Sequence, residues 1–335
     1  MHNQPVVSII VPVFNEEEIL EMLYRRTVEA LERCGEPFEL VLVDDGSDDK
    51  SWEKMCGMAA CDARLVLVRL SRNFGHQVAI TAGIDAARGD AVVLMDADLQ
   101  DPPEVVPEML ALWRSGYDVV YGRRSCRHGE SWFKRATAAG FYRLIRWLTS
   151  IDIPADTGDF RLMSRRVVEV LKQLRERNRF IRGMVAWIGW RQTAVDYERG
   201  ERRVGKTKYS LRKMVRFAGD AIVSFSHAPL RIATGLGLLV STLSFGYGVY
   251  SALAGLFDWP LVQGWTTPMI AIVFLGGVQL LSLGIIGEYV GRISDEVKQR
   301  PLYVADEERR AAASSAAAEE KPRLAAVESI SRSAP

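Results

Sequence analysis

The stretch Ala91–Glu104, AVVLMDADLQDPPE, decides the fold. Ala91 to Met95 is a short run that is apolar on both faces, which reads as a buried strand. Asp96, Asp98 and Asp101 follow at once, and Pro102 and Pro103 stop the strand. Carboxylates are thereby delivered to the C-terminal end of a central strand, the edge of an open α/β sheet where ligands bind. Two Asp separated by one residue repel each other unless a cation lies between them or water solvates them. Oxygen-only donors suit Mg2+ or Mn2+, and Mg2+ commonly binds through one or two carboxylates plus substrate phosphates. A solvated acidic turn would look the same from these residues alone, so the neighbouring stretches carry the decision.

Upstream, Val7–Val13 (VSIIVPV), Phe38–Val43 and Leu65–Leu70 read as buried strands. Asn15 is placed to cap a helix that runs to about Arg33 and ends at Gly35, with Glu16 to Glu18 in its first turn. Asp44 to Asp49 form a polar turn before a helix at Ser51, with Ser47 or Asp49 as its cap. A helix from His76 to Ala87 leads into the acidic strand, and Val119 to Gly122 reads as one more strand, ended by Arg123 and Arg124. Strands alternating with helices predict an α/β protein with a parallel, doubly wound sheet.

A chain of 335 residues permits one large domain or two. Its 43 basic and 42 acidic residues nearly cancel, so nothing argues for nucleic acid as a partner. Cys34, Cys56, Cys61 and Cys126 show neither zinc-ligand nor CxxC spacing and read as free thiols in a reducing compartment. The opening MHNQP runs straight into a strand, so no signal peptide is expected.

The long apolar runs come late. Ile232 to Phe257 and Met269 to Gly287 contain no charged residue. Each reaches the roughly 20 residues that cross a bilayer core as a helix. Arg212, Lys213, Arg216 and Arg231 precede the first run, Arg292, Lys298 and Arg300 follow the second, and Asp258–Pro268 between them has no Lys or Arg. That asymmetry predicts a multi-pass protein of the cytoplasmic (inner) membrane with its catalytic domain and both termini inside. Trp259 and Trp265 suit the far interface. Ser131–Ser150 and Ser210–Phe225 interleave aromatic and basic residues and read as interfacial helices. Gly284, Gly287 and Gly291 give the second span a small face with one GxxxG pair, which predicts a homo-oligomer; packing of the two spans on each other would use the same face. From about Ala305 the Ala-, Glu- and Ser-rich tail reads as disordered. The expected regions are therefore 1–209, 210–230, 231–291 and 292–335.

The stretches VPVFNEEE, VDDGSDD, SRNFGHQVAITAGID, DADLQDPPE, GRR, DTGDFRLMSR and ERRVGKTKYS occur in this order. Over about residues 5–300 they resemble the family-2 glycosyltransferases of the polyprenyl-phosphate type. That group includes dolichyl-phosphate mannose synthase and bacterial undecaprenyl-phosphate glucosyltransferases. The resemblance implies a GT-A (Rossmann-like) domain with a nucleotide-sugar site at its strand ends. It also implies transfer of a hexose, first UDP-glucose as donor, to undecaprenyl phosphate with the help of Mg2+ or Mn2+. By the same resemblance Asp96 and Asp98 hold the metal. Pro12, Asn15, Glu16, Asp44, Asp96 and Gln100 line the nucleotide-sugar site. Arg123, Arg202 and Lys208 hold the lipid phosphate, and Asp159 with Arg202 is catalytic.

The chemistry gives these residue types a reason. A departing pyrophosphate builds negative charge that a divalent metal offsets. A lipid phosphate is already ionised near neutral pH, its second pKa being about 6, so positioning outweighs proton abstraction. Arginine forks suit that work. Attack by the phosphate opposite the leaving group predicts inversion. Three tasks stay open for Asp159: accepting a residual proton, orienting Arg161, or contacting sugar hydroxyls. Other donors (UDP-N-acetylglucosamine, UDP-galactose, an amino-arabinose donor, GDP-mannose) stay open, as does a non-catalytic nucleotide-sugar sensor or assembly partner. WIGWRQ at 187–192 is not the Q-x-x-R-W motif of a processive polysaccharide synthase.

Overall fold

A computed structural model describes residues 5–124, 157–198, 228–256 and 266–310. The described residues 5–124, 157–198 and 300–310 belong to one compact unit, and 228–256 with 266–299 to a second.

The first unit is built on an eight-stranded sheet. Its strands are β1 (Val7–Val13), β2 (Phe38–Asp44), β3 (Leu65–Leu70), β4 (Ala91–Leu94), β5 (Val119–Arg124), β6 (Thr157–Ser164), β7 (Gln192–Tyr197) and β8 (Ala305–Arg310), in the order β7-β5-β6-β4-β1-β2-β3-β8. β1, β2 and β4 are buried along their whole length, which explains why they read as predominantly apolar runs. The connecting helices are α1 (Leu20–Glu32), α2 (Ser51–Cys61), α3 (His76–Ala86), α4 (Val106–Arg114), α5 (Arg165–Gln173) and α6 (Ile181–Ile188). α3 lies close on the sheet because Gly83 has no side chain. A Cβ there would sit 2.2 Å from Ile10 Cγ2 and 3.2 Å from Val43 Cγ2.

Several expectations change. The sheet is mixed: β6 runs antiparallel to β4 and β5, and β8 antiparallel to β3, while the remaining pairs are parallel. β6 escapes an apolar-run reading because it buries Asp159 and Arg161 within an otherwise apolar strand. Within the stretch expected to be disordered, Ala305–Arg310 (ADEERR), five of whose six residues are charged, forms an edge strand; edges tolerate charge because one side lacks a strand partner. Asn15 does not cap α1, which begins at Leu20 without a side-chain cap. Asn15 instead adopts a left-handed backbone (φ 55°) and accepts from Asp48 N–H through Oδ1 at 2.9 Å. Cys34, Cys56 and Cys61 are free thiols. The helices expected at Ser131–Ser150 and Ser210–Phe225, Cys126 and the tail beyond Arg310 lie outside the described residues.

The second unit contains α7 (Ala228–Leu256) and α8 (Thr266–Val297), which pack against each other. Among the described residues one segment, Phe274–Val297, is long and apolar enough to cross a membrane, and Ala233–Tyr247 is a shorter apolar stretch. Phe245 is 76% exposed and Leu280 73%, so these helices are not a buried core. Among the described residues a Cβ at Gly284, Gly287 or Gly291 would meet nothing within 4 Å.

Candidate active site

β4 ends at Leu94, two residues before Asp96, and the turn after it is tight. Leu99 takes a left-handed backbone (φ 56°), and Asp98 Oδ1 accepts from Gln100 N–H at 3.1 Å. Asp101 is buried and accepts from the Tyr197 hydroxyl of β7.

β2 contributes the next part. Asp44 is fully buried at its end, and Oδ1 accepts from Ser47 N–H at 3.2 Å. Its Oδ2 makes no hydrogen bond, and Arg69 Nε stands 3.6 Å away. Burial pushes the Asp44 carboxyl up, against the hydrogen bonds from Ser47 and the charge of Arg69. The buried Asp45 accepts from Phe74 N–H (2.8 Å) and Gly75 N–H (3.0 Å). Asp45 thereby ties down the SRNFG loop, which Gly75 (φ 98°) ends at the first turn of α3. Gly46 lets that loop approach: a Cβ there would lie 2.5 Å from the Arg72 carbonyl carbon.

The loop delivers His76 and Gln77 to the centre. His76 Nε2 lies 3.3 Å from Asp159 Oδ2 and 3.4 Å from Asp96 Oδ1. Gln77 Nε2 donates to Asp159 Oδ2 at 3.3 Å, and its Oε1 accepts from Ile181 N–H at 3.0 Å. Arg182 grips Asp159 with two bonds, Nε to Oδ1 at 2.7 Å and Nη2 to Oδ2 at 3.1 Å. Burial opposes ionisation of Asp159, but the Arg182 charge and the bonds from His76 and Arg182 outweigh it and hold the carboxyl well below the usual range. Asp96 is pushed up to about 6, by burial first and by the neighbouring carboxylates of Asp159, Asp101 and Asp98, with His76 opposing. Burial lowers His76, yet the two carboxylates raise it overall. Arg161 does not meet the Asp159 carboxylate. It donates to the backbone carbonyls of Asp159 (3.3 Å) and Gly158 (3.0 Å), and burial lowers it to about 10.

The structure thus joins Asp96 and Asp159 through His76 and sets Asp98 and Gln100 in the turn beside them. Pro12 is buried in β1. Asn15 and Glu16 follow it, their backbone N–H groups donating to Ser47 Oγ and Ser51 Oγ at 3.0 Å each. Arg123 pairs with Asp196 of β7 on the surface, Nε to Oδ1 at 2.6 Å and Nη2 to Oδ2 at 2.7 Å. Arg202 and Lys208 lie outside the described residues. Sequence reading missed His76, Gln77 and Arg182 as site residues. His76 and Gln77 stand inside a quoted motif, but no local signal marks Arg182, which is 23 positions from its partner.

The donor set fits a divalent cation. Asp96 and Asp98 offer hard oxygens at a strand end, and the crowding that raises Asp96 is the charge a cation offsets. Among the described residues no cluster of three or more His, Cys, Asp or Glu is placed to hold a metal ion.

A mixed α/β sheet with acidic residues just after β4 and a buried Asp159 beside them is the arrangement that the GT-A resemblance implies. Residues 8–172 match the model of glycosyl transferase family 2, and residues 228–293 that of the GtrB C-terminal hairpin. The chain is 49% identical over 297 residues to the uncharacterized glycosyltransferase YkcC of Bacillus subtilis, covering 89% of this chain and 92% of that one. It is 42% identical over 298 residues to the SfII prophage-derived bactoprenol glucosyl transferase of Shigella flexneri, covering 89% and 96%. A prophage bactoprenol glucosyl transferase homolog of Escherichia coli is 41% identical over 298 residues, covering 89% and 97%. The chain belongs to glycosyltransferase family 2 and carries the GtrB-type C-terminal hairpin.

Proposed function

We propose that this glycosyltransferase moves glucose from UDP-glucose to a polyprenyl phosphate, undecaprenyl phosphate, at the cytoplasmic face of the membrane. The observation that carries the reading is the meeting of Asp96 and Asp159 on His76, beside Asp98 at the strand ends. The bactoprenol glucosyl transferase relatives supply the acceptor class and the sugar.

Asp98 and Asp96 would hold Mg2+ or Mn2+, which when bound offsets the charge that builds on the departing pyrophosphate. Asp44, Asn15, Glu16, Pro12 and Gln100 line the donor's edge of the sheet. Asp44 offers a buried, unsatisfied Oδ2, a hydrogen-bond acceptor suited to a base or ribose N–H or O–H group. Asp159 is a positioning carboxylate rather than a general base. Arg182 and His76 keep it ionised and weakly basic, and an ionised phosphate acceptor needs no proton removed. His76 fixes the spacing between the donor-side Asp96 and the acceptor-side Asp159. Arg202 and Lys208 take the lipid phosphate; Arg123 joins them by exchanging its exposed partner Asp196 for the phosphate. In-line attack by a phosphate oxygen on the anomeric carbon inverts the linkage, so an α-linked donor gives a β-linked lipid.

α7 and α8 form the membrane hairpin, both spanning, with charged ends inside. Their outward apolar side chains and the Lys/Arg-free linker support this topology. The reading is tested with a panel of nucleotide-sugars, undecaprenyl phosphate and the full-length protein, read by mass spectrometry of the lipid. Undecaprenyl-phosphate hexose from UDP-glucose is expected. Product from another donor alone would change the sugar, and no lipid product from any donor would overturn the reading.

A further inference from the structure

The segment that returns from the hairpin contacts the helix that carries His76. Ser71, the first residue of the SRNFG loop, donates from N–H to the Val304 carbonyl at 2.9 Å. β8 pairs with β3, from Val66 opposite Arg310 to Leu70 opposite Ala305. At the far end of α3, the Tyr303 hydroxyl donates to Asp85 Oδ2 at 2.9 Å, and Arg175 donates to the same carboxylate at 2.8 Å. Arg310 Nη2 donates to the Ala86 carbonyl at 2.6 Å, and Nη1 to Glu39 Oε2 at 2.6 Å. Glu39 is buried on β2 and also accepts from the Ser8 hydroxyl and Arg88 N–H through Oε1, both at 2.6 Å. Tyr303 and Arg310 therefore fasten the C-terminal end of α3, while its N-terminal end presents His76 and Gln77 to Asp159.

We propose that Tyr303 and Arg310 are positioning residues for glycosyl transfer, acting through α3 on His76 and Gln77. The lever is simple. An 11-residue helix is roughly 15 Å long, so a tilt of about 4° at one end moves the other by about 1 Å. A displacement of about 1 Å at a reacting centre costs up to roughly 100-fold in rate. Glu39 makes Arg310 hard to replace: without the guanidinium, a buried carboxylate oxygen loses its cation. The strand is also the first strand or helix after α8 in the chain, so the same residues follow the hairpin directly into the catalytic sheet.

The proposal rests on the transfer reading for its rate assay and needs a second assay that does not. In the full-length protein, Tyr303→Phe and Arg310→Ala are expected to lower kcat by about tenfold or more with little change in donor KM, and Arg310→Lys to recover part of the loss. A double-mutant cycle with His76→Ala decides the route. If the strap acts through His76, Arg310→Ala costs little further in the His76→Ala background. Independent multiplicative losses would overturn the proposal, as would wild-type kcat in both single variants. Hydrogen exchange gives the arm without turnover: Tyr303→Phe, the milder change, is expected to speed exchange of α3 amides while leaving β1 and β2 amides protected. Unchanged α3 exchange, or a uniform loss across the sheet, would overturn it even if no sugar donor were found.

Discussion

Asp159 and Asp96 share one imidazole: His76 Nε2 stands 3.3 Å from the first carboxylate and 3.4 Å from the second. Asp159 lies on β6 and Asp96 in the turn after its antiparallel neighbour β4, and the histidine comes from the helix before β4. The same Asp159 is gripped from the opposite part of the chain by Arg182. This arrangement separates its charge from its basicity, and the first two predictions follow from that separation.

Asp159→Asn is expected to keep donor binding and to lose most turnover by a factor that stays constant from about pH 6 to about pH 9. The wild-type carboxyl, held well below the usual range, is ionised throughout that window, so nothing at this position titrates. A true general base would matter most near pH 6, where the phosphate still holds its second proton. Recovery of near wild-type rate at high pH would contradict the positioning role. The check is a kcat profile of both proteins.

Arg182→Ala should add to the wild-type pH profile a dependence that comes from Asp159. Burial remains the largest influence on Asp159 and raises its pKa once the guanidinium is gone. The carboxyl then protonates as pH falls, so the variant loses activity on the acid side, beyond a loss of about tenfold at pH 7 from misplacement. Arg182→Lys keeps the charge without the fork and should lie between. A pH-independent ratio of Arg182→Ala to wild type would contradict the pairing.

Acid stability has a separate handle. Arg166 and the hydroxyl of Ser164 lower the buried Asp118, with the Arg166 bond the largest cause. A depressed carboxyl stabilises the fold above its unfolded pKa, about 3.9, and that share disappears as pH falls through the folded value. Asp118→Asn should therefore lower Tm at about pH 7, by a difference that shrinks as pH falls below about 3.9, the unfolded value. A difference that does not shrink would contradict it.

Reporter fusions test the hairpin. A reporter inserted near Gln263 is expected outside and one at the C-terminus inside, from the Lys/Arg asymmetry around two spans. A cytoplasmic result at Gln263 would mean that only one helix crosses, or none.

Much of the sheet was legible because β1, β2 and β4 are buried on both faces, and a strand with two buried faces is written as a mostly apolar run. The acidic turn was legible for the complementary reason, since Asp and Pro end such a run abruptly. β6 was opaque because it buries Asp159 and Arg161, which break the pattern that reveals strands. β8 was opaque because an edge strand needs no apolar face of its own; Arg310 enters the interior only by finding Glu39, 271 positions away. Arg182 and His76 acquired meaning the same way, through contacts that spacing does not encode.

The central claim is that the acidic centre transfers a sugar to a lipid phosphate. The most direct measurement incubates full-length protein with radiolabelled UDP-glucose and undecaprenyl phosphate and counts label in the organic phase. Label is expected to enter that phase with Mg2+ or Mn2+, to fall at least about 100-fold with EDTA or in Asp98→Asn, and to return when metal is restored to the wild type. Full transfer in EDTA, or label that never leaves the aqueous phase, would contradict it.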